Sequence, residues 1–481
     1  MSVFVLRGRV NSFINIFWQT KFCKQFFAKT LEIFEKVCYT VSVELKFCKK
    51  DFDVIVKEYC FFMAELIYNT QGRLLFTEEM RREYTILIPN MLPIHFAMLE
   101  RIFNNHGYKV ELLKTTGRKI IDEGLENVHN DTCYPALLCV GQFMDALKSG
   151  KYDMNKTALM MIQTGGGCRA SNYIHLIRKA LKRSGMEQIP VISLNLAGLE
   201  KNPGFKLTVG MMAQFITGIC YADLIMLIAN QVRPYENNKG DCDRLIEKWI
   251  NRLVEINFSF AAFDRISREI VSDFEKIPYT PDPNKVKVGI VGEIFIKYSP
   301  LGNNELQKFL ESEGCEVRCP GLIDFLIFMG DHHVVETHLY HIKYLKFIAS
   351  TGVKGFFKMM QNKIIRAIKN SRFTGVTPFE ETKKMVEPFV SPANKMGEGW
   401  LLTAEMVELI KSGVGNIVCA QPFGCLPNHV VGKGMIRKIR SVYPQANIVS
   451  IDYDPGATKV NQENRIKLML ATARAAAGDT K

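Results

Sequence analysis

Twice along this 481-residue chain an apolar run ends in glycine and cysteine, and residues at helical spacing follow. In the first half Ala158-Leu159-Met160-Met161-Ile162 leads into Gln163-Thr164-Gly165-Gly166-Gly167-Cys168, with Ile174, Leu176, Ile177 and Leu181 beyond. In the second, Asn416-Ile417-Val418-Cys419-Ala420-Gln421 leads into Pro422-Phe423-Gly424-Cys425, ahead of a helix over 429–440. Such an apolar run reads as a parallel strand buried on both faces. Units of strand, loop and helix then confine the chain to an α/β fold with open, doubly wound sheets.

The rest of the chain fits that frame. Strands are expected over 84–89, 109–113 and 190–196, with a helix over 94–103. Cys133 opens an amphipathic helix through Leu147, and Ser171 or Asn172 is placed to cap the helix after Cys168. Residues 206–275 read as helical, with Met and aromatic stripes that serve packing. The linker Pro278-Tyr279-Thr280-Pro281-Asp282-Pro283 marks a domain boundary. Beyond it, strands are expected over 287–293, 316–318, 416–421 and 446–451. Helices are expected ending at Leu310 and over 403–409 and 461–472, with a basic helical insertion at 335–372. This gives a first domain at 76–280 and a second at 284–475. Residues 1–75 are expected to form a helical extension, with helices over Phe26–Val37 and Val54–Tyr68 and no CxxC pair for zinc among Cys23, Cys38, Cys48 and Cys60.

Apolar residues make up 47% of the chain and charged residues 23%, a globular balance. The net charge of +13 is spread among acidic residues, with no dense basic block or RNA-binding aromatic motif, so nucleic acid is not expected as a partner. No apolar run reads as long enough to span a membrane, and Met1–Arg9 makes a poor signal peptide because its charges follow the apolar residues. The thirteen cysteines lack a disulfide spacing, which points to a cytoplasmic protein with reduced thiols serving metal or redox chemistry.

The glycine–cysteine loops are the candidate site. Ligands of open α/β sheets bind outside the carboxyl ends of the strands. Glycines admit close backbone approach, and a helix start favours negative charge, so a depressed thiol pKa is expected at Cys168. Cys133 occupies a third junction of this kind, and Cys133, Cys168 and Cys425 would converge on a cleft if the two halves face each other. Zinc in a structural site takes four closed N/S ligands. A [4Fe–4S] cluster on three thiolates would keep one iron open. Cys419 is the alternative or fourth ligand, though on the strand its side chain should point away from that of Cys425. His129 and His429 are further candidates, with ordinary hydrogen bonding as the plainer reading of each. Gly165, Gly166, Gly167, Arg169 and Gly424 are the residues placed to cradle a cofactor. Arg169 also suits an anionic ligand, against the plainer reading of a solvated helix-start arginine. Glu293 and Glu398 suit proton transfer or capping.

The segments HNDTCYPALLCVGQFMDAL, QTGGGCRASNYIHLIRKAL, VGEIFIKYSPLGNN, MGEGWLLTAEM, CAQPFGCLPNHVVGKGMIRKI and IDYDPGATKVNQENRIKLML carry a resemblance. From about Leu74 to Ala473 the chain resembles the C-terminal part of the large CoA-substrate-specific activase-related proteins, in the superfamily of 2-hydroxyacyl-CoA dehydratases and benzoyl-CoA reductases. The resemblance implies two flavodoxin-like domains with an oxygen-sensitive [4Fe–4S]-type cluster between them, ligated by Cys133, Cys168 and Cys425. It implies an acyl-CoA substrate reduced to a ketyl-type radical, from which hydroxide leaves, and a homo- or hetero-oligomer. An activase ATPase of the actin/Hsp70-like class would supply the electron. No Walker-type GxxxxGK[ST] or actin-like phosphate loop is found here, so that ATPase is expected on another chain. A non-catalytic, cluster-bearing scaffold that docks the activase is the alternative, favoured by the basic insertion.

Overall fold

The computed structural model describes residues 64–163, 168–195, 200–256, 259–340 and 344–478. Cys23, Cys38, Cys48, Cys60 and the helix expected over Phe26–Val37 lie outside the described residues. Of the helix expected over Val54–Tyr68, only residues from 64 onward are described; they are not helical, and Tyr68 bridges to Leu74.

The first half runs α1 (Glu78–Glu83), β1 (Thr85–Pro89), α2 (Pro93–Asn105), β2 (Lys109–Leu113), α3 (Arg118–Asn127), α4 (Tyr134–Lys148), β3 (Thr157–Gln163), α5 (Tyr173–Arg183) and β4 (Val191–Asn195). Three further helices follow, α6 (Val209–Val232), α7 (Asp241–Leu253) and α8 (Phe260–Glu275). The second half runs β5 (Lys287–Gly292), α9 (Ile294–Tyr298), α10 (Leu306–Ser312), β6 (Glu316–Arg318), α11 (Leu322–Tyr340), α12 (Tyr344–Ile368), α13 (Phe379–Val386) and α14 (Leu401–Lys411). It ends in β7 (Asn416–Pro422), α15 (Ile436–Val442), β8 (Asn447–Tyr453) and α16 (Lys459–Gly478). Local chemistry sets several helix starts: Thr77, Thr208 and Ser259 each accept an N–H three residues on.

The two four-stranded sheets share one topology, β2-β1-β3-β4 and β6-β5-β7-β8, with every pairing parallel. The fold is α/β and flavodoxin-like in each half. The chain leaves β1 in one direction and returns past it to β3, so the switch point lies between those strands, and between β5 and β7 in the second sheet. Alternate side chains divide between two cores. Ile86, Ile88, Met160, Val291, Ile417 and Cys419 enter one; Leu87, Leu159, Ile290, Val418 and Ala420 enter the other. Each core therefore draws on both sheets.

Several elements depart from expectation. Tyr134 through Leu147 are all buried, so α4 is not amphipathic; sheet and helices surround it on every side. The 335–372 insertion is a hairpin of two helices, α11 and α12, that starts earlier at Leu322. Residues 429–440 form a π turn, a short 3-10 turn and α15 instead of one helix. Contrary to the expectation of no spanning-length run, Val209–Tyr235 is long and apolar enough to cross a membrane. It is a core helix instead: Asp223 at its middle is buried and accepts hydrogen bonds from His95 and from the N–H groups of Leu322 and Ile323.

Candidate functional site

The carboxyl ends of β3, β5 and β7 and the start of α4 deliver the candidate residues. β7 ends at Pro422, and the turn Phe423-Gly424-Cys425 comes directly after it. The Tyr134 N–H donates to Phe423 O at 3.0 Å, which docks this turn on the start of α4 in the other half. Gly424 has φ +72, and a Cβ there would lie 3.0 Å from Cys133 Cα. Only glycine accepts both the left-handed conformation and the close approach, so the Cys425 and Cys133 loops touch because residue 424 has no side chain.

Cys133 is buried and its Sγ lies 3.5 Å from Tyr173 Oη. Tyr173 opens α5, just after the 3-10 turn Arg169–Asn172 that follows Cys168. Cys168 is partly buried. Its thiol is pushed up to about 11, first by burial, against an opposing hydrogen bond from the Ala170 N–H; Glu398, Glu293 and Cys133 add to the rise. The depressed pKa expected at this helix start is therefore not found, because desolvation outweighs the single N–H that faces the sulfur. Burial drives Cys425 higher still, with Glu398, Glu293 and Cys168 contributing. The structure thus brings Cys168 within electrostatic reach of both Cys133 and Cys425. The expected cap is also absent: Asn172 makes no capping bond, and Ser171 Oγ donates to Cys168 O at 2.7 Å.

Two carboxyls lie close by. Glu293 follows β5 and accepts from Ile296 N–H at 2.9 Å, while Glu398 accepts from Ile294 N–H at 2.9 Å. Both cap the same short helix, α9. Burial, then the neighbouring Glu398, raises Glu293 to about 8, and burial likewise raises Glu398. Both shifts favour the protonated carboxyl, and at about 8 Glu293 keeps its proton at neutral pH. Two buried amide oxygens, Asn90 Oδ1 beyond β1 and Gln421 Oε1 on β7, have no hydrogen-bond partner among the described residues. Natural interiors rarely leave such atoms unanswered, and a bound ion or water is one usual reason.

Other candidates sit apart. Cys419 is buried, and its Sγ lies 3.7 Å from Asn428 Oδ1, while Asn428 Nδ2 donates to Ala420 O at 2.9 Å. Its sulfur is thus engaged by the Asn428 side chain. His129 and His429 are exposed; His129 Nδ1 accepts from Asp131 N–H at 3.2 Å, a local loop contact. Gly165, Gly166 and Gly167 lie outside the described residues, and for Arg169 only the backbone is described. Among the described residues, no group of three or more His, Cys, Asp or Glu is drawn together closely enough to hold a metal ion. None of the nine described cysteines forms a disulfide. Sequence reasoning missed Tyr173 because nothing local marks it: it meets the site through Cys133, far earlier in the chain. Cys139 was equally hidden, although it is fully buried and within reach of Cys133 and Glu293.

No curated protein matches the chain. Residues 85–154, from β1 through the end of α4 and including Cys133, match the family model described as "CoA enzyme activase uncharacterised domain". On that match, the chain carries a domain of the CoA enzyme activase-related family.

Proposed function

We propose that this protein is a cytoplasmic iron–sulfur protein that holds a [4Fe–4S]-type cluster on Cys133, Cys168 and Cys425. Its role is low-potential electron transfer to a CoA thioester, driven by an activase ATPase of the actin/Hsp70-like class on another chain. The observation that carries this reading is the approach of three thiols from both halves to two buried carboxyls, Glu293 and Glu398. Soft sulfur donors select zinc or iron–sulfur centres over hard cations. A tetrahedral zinc with Zn–S bonds of about 2.3 Å needs its sulfurs tightly grouped. No such tight group of donors is found among the described residues. Thiols whose pKa is raised by burial bind metal with release of their protons.

When bound, such a cluster supplies a one-electron couple with one iron free of protein ligands. The chain's own residues do the rest. Gly424 lets the Cys425 turn close on Cys133, and the apolar walls of α4 and α5 limit water. Glu293, raised to about 8, keeps a proton beside the site, and burial shifts Glu398 in the same direction. A hydroxide that leaves a substrate needs a proton, and a carboxyl held near neutral pKa suits that transfer. The test supplies activase, ATP and a 2-hydroxyacyl-CoA under anaerobic conditions. Dehydrated acyl-CoA or a ketyl radical signal is expected.

A second reading, a cluster-bearing scaffold that docks the activase, is favoured by the α11–α12 hairpin, where Leu339, Ile348 and Val353 are exposed. Repeated absence of turnover and of CoA-ester binding in the same assay would select it.

A further inference from the structure

The contact between Tyr173 and Cys133 ties two of the three loops together. Tyr173 belongs to the helix that follows Cys168, yet its hydroxyl reaches the sulfur of Cys133, on the loop ahead of α4. Both side chains are buried in the same apolar core. In the free thiol either atom can donate the hydrogen bond. A sulfur that ligates metal has lost its proton and can only accept, so the hydroxyl must then be the donor. We propose that Tyr173 is a positioning residue for the cluster, its hydroxyl donating to the Cys133 thiolate so that it orients that sulfur and draws charge from it. The proposal rests on the cluster reading above.

The consequence is electronic as well as steric. A hydrogen bond to a ligating sulfur stabilises the reduced, more negative state and moves the reduction potential upward. Tyr173→Phe keeps the buried ring and removes only the hydroxyl. Tyr152→Phe is the control, since its hydroxyl donates to Glu111 at 2.7 Å on a different part of the first half. The wild type and both variants are loaded anaerobically with iron and sulfide, iron is counted per chain, and the potential is measured by redox titration followed in the visible. Equal iron in all three, a more negative potential in Tyr173→Phe and an unmoved potential in Tyr152→Phe are expected. Iron uptake with a Tyr173→Phe potential equal to or above that of the wild type overturns this proposal alone. The same shift in both variants also overturns it. A wild-type chain that takes up no iron sinks the cluster reading and this proposal together.

Discussion

Glu293 shows how a residue that caps a helix can also store a proton. Its carboxyl accepts an N–H from α9, which by itself favours the charged form, yet burial and the nearby Glu398 lift it to about 8. The folded chain therefore keeps a proton that the unfolded chain, at the ordinary value of 4.5, gives up. Stability falls as pH rises between those values, because over that window the native state binds more protons than the unfolded one. Replacing Glu293 by Gln should flatten this slope. Urea midpoints of the wild type should decline between about pH 5 and pH 8, and those of Glu293→Gln should decline less. Equal slopes would assign the effect to another group. Cys168 teaches the companion lesson. From sequence, a cysteine at a glycine-rich helix start promised an acidic thiol, but how deeply the opposite half covers it is a tertiary property that no local motif encodes.

At the scale of elements, the strands were the most legible part of the chain. The runs over 109–113 and 316–318 form β2 and β6 with those bounds, and the other six strands are placed to within two residues at each end. Apolar, β-branched stretches flanked by turn residues leave little room for another reading. Short helices such as α1, α9 and α13 carry too few residues for a periodic signal and went unread. The α6 helix was legible as helix but not in role, since its apolar composition suits a bilayer as well as a core. Asp223 decides the matter, because it caps the start of α11 with two N–H bonds of 2.9 and 2.7 Å and also holds His95 at 2.7 Å. Asp223→Ala should cost about 2 kcal/mol or more, as a lost cap leaves buried donors unanswered. Hydrogen exchange should rise first at residues 322–328. Unchanged protection there would mean that Asp223 does not hold the helix start.

Across the whole molecule, the two halves share both cores and exchange hydrogen bonds. Ser299 Oγ donates to Asn90 O at 3.2 Å, Tyr235 Oη to Glu316 at 2.6 Å, and Gln307 Nε2 to Asn230 at 2.9 Å. The proline-rich linker at 278–283 suggested separable lobes, but α6 packs on α2 of the first half and on β6 of the second. Unfolding should therefore be cooperative: Trp249 and Trp400, buried in the same core from opposite halves, should report fluorescence midpoints that coincide with circular dichroism. Separate midpoints would show independent lobes. The same joining of halves makes the thiol site, since Cys133 and Cys168 come from one half and Cys425 from the other. Its most direct test is iron content after anaerobic loading with iron and sulfide, compared between wild type and single serine variants. The account predicts a brown, iron-bearing wild type, loss of iron in Cys133→Ser, Cys168→Ser and Cys425→Ser, and full iron in Cys220→Ser and Cys242→Ser, whose thiols are buried among α6, α7 and α8. Full iron in Cys168→Ser, or zinc in place of iron in the wild type, would contradict it.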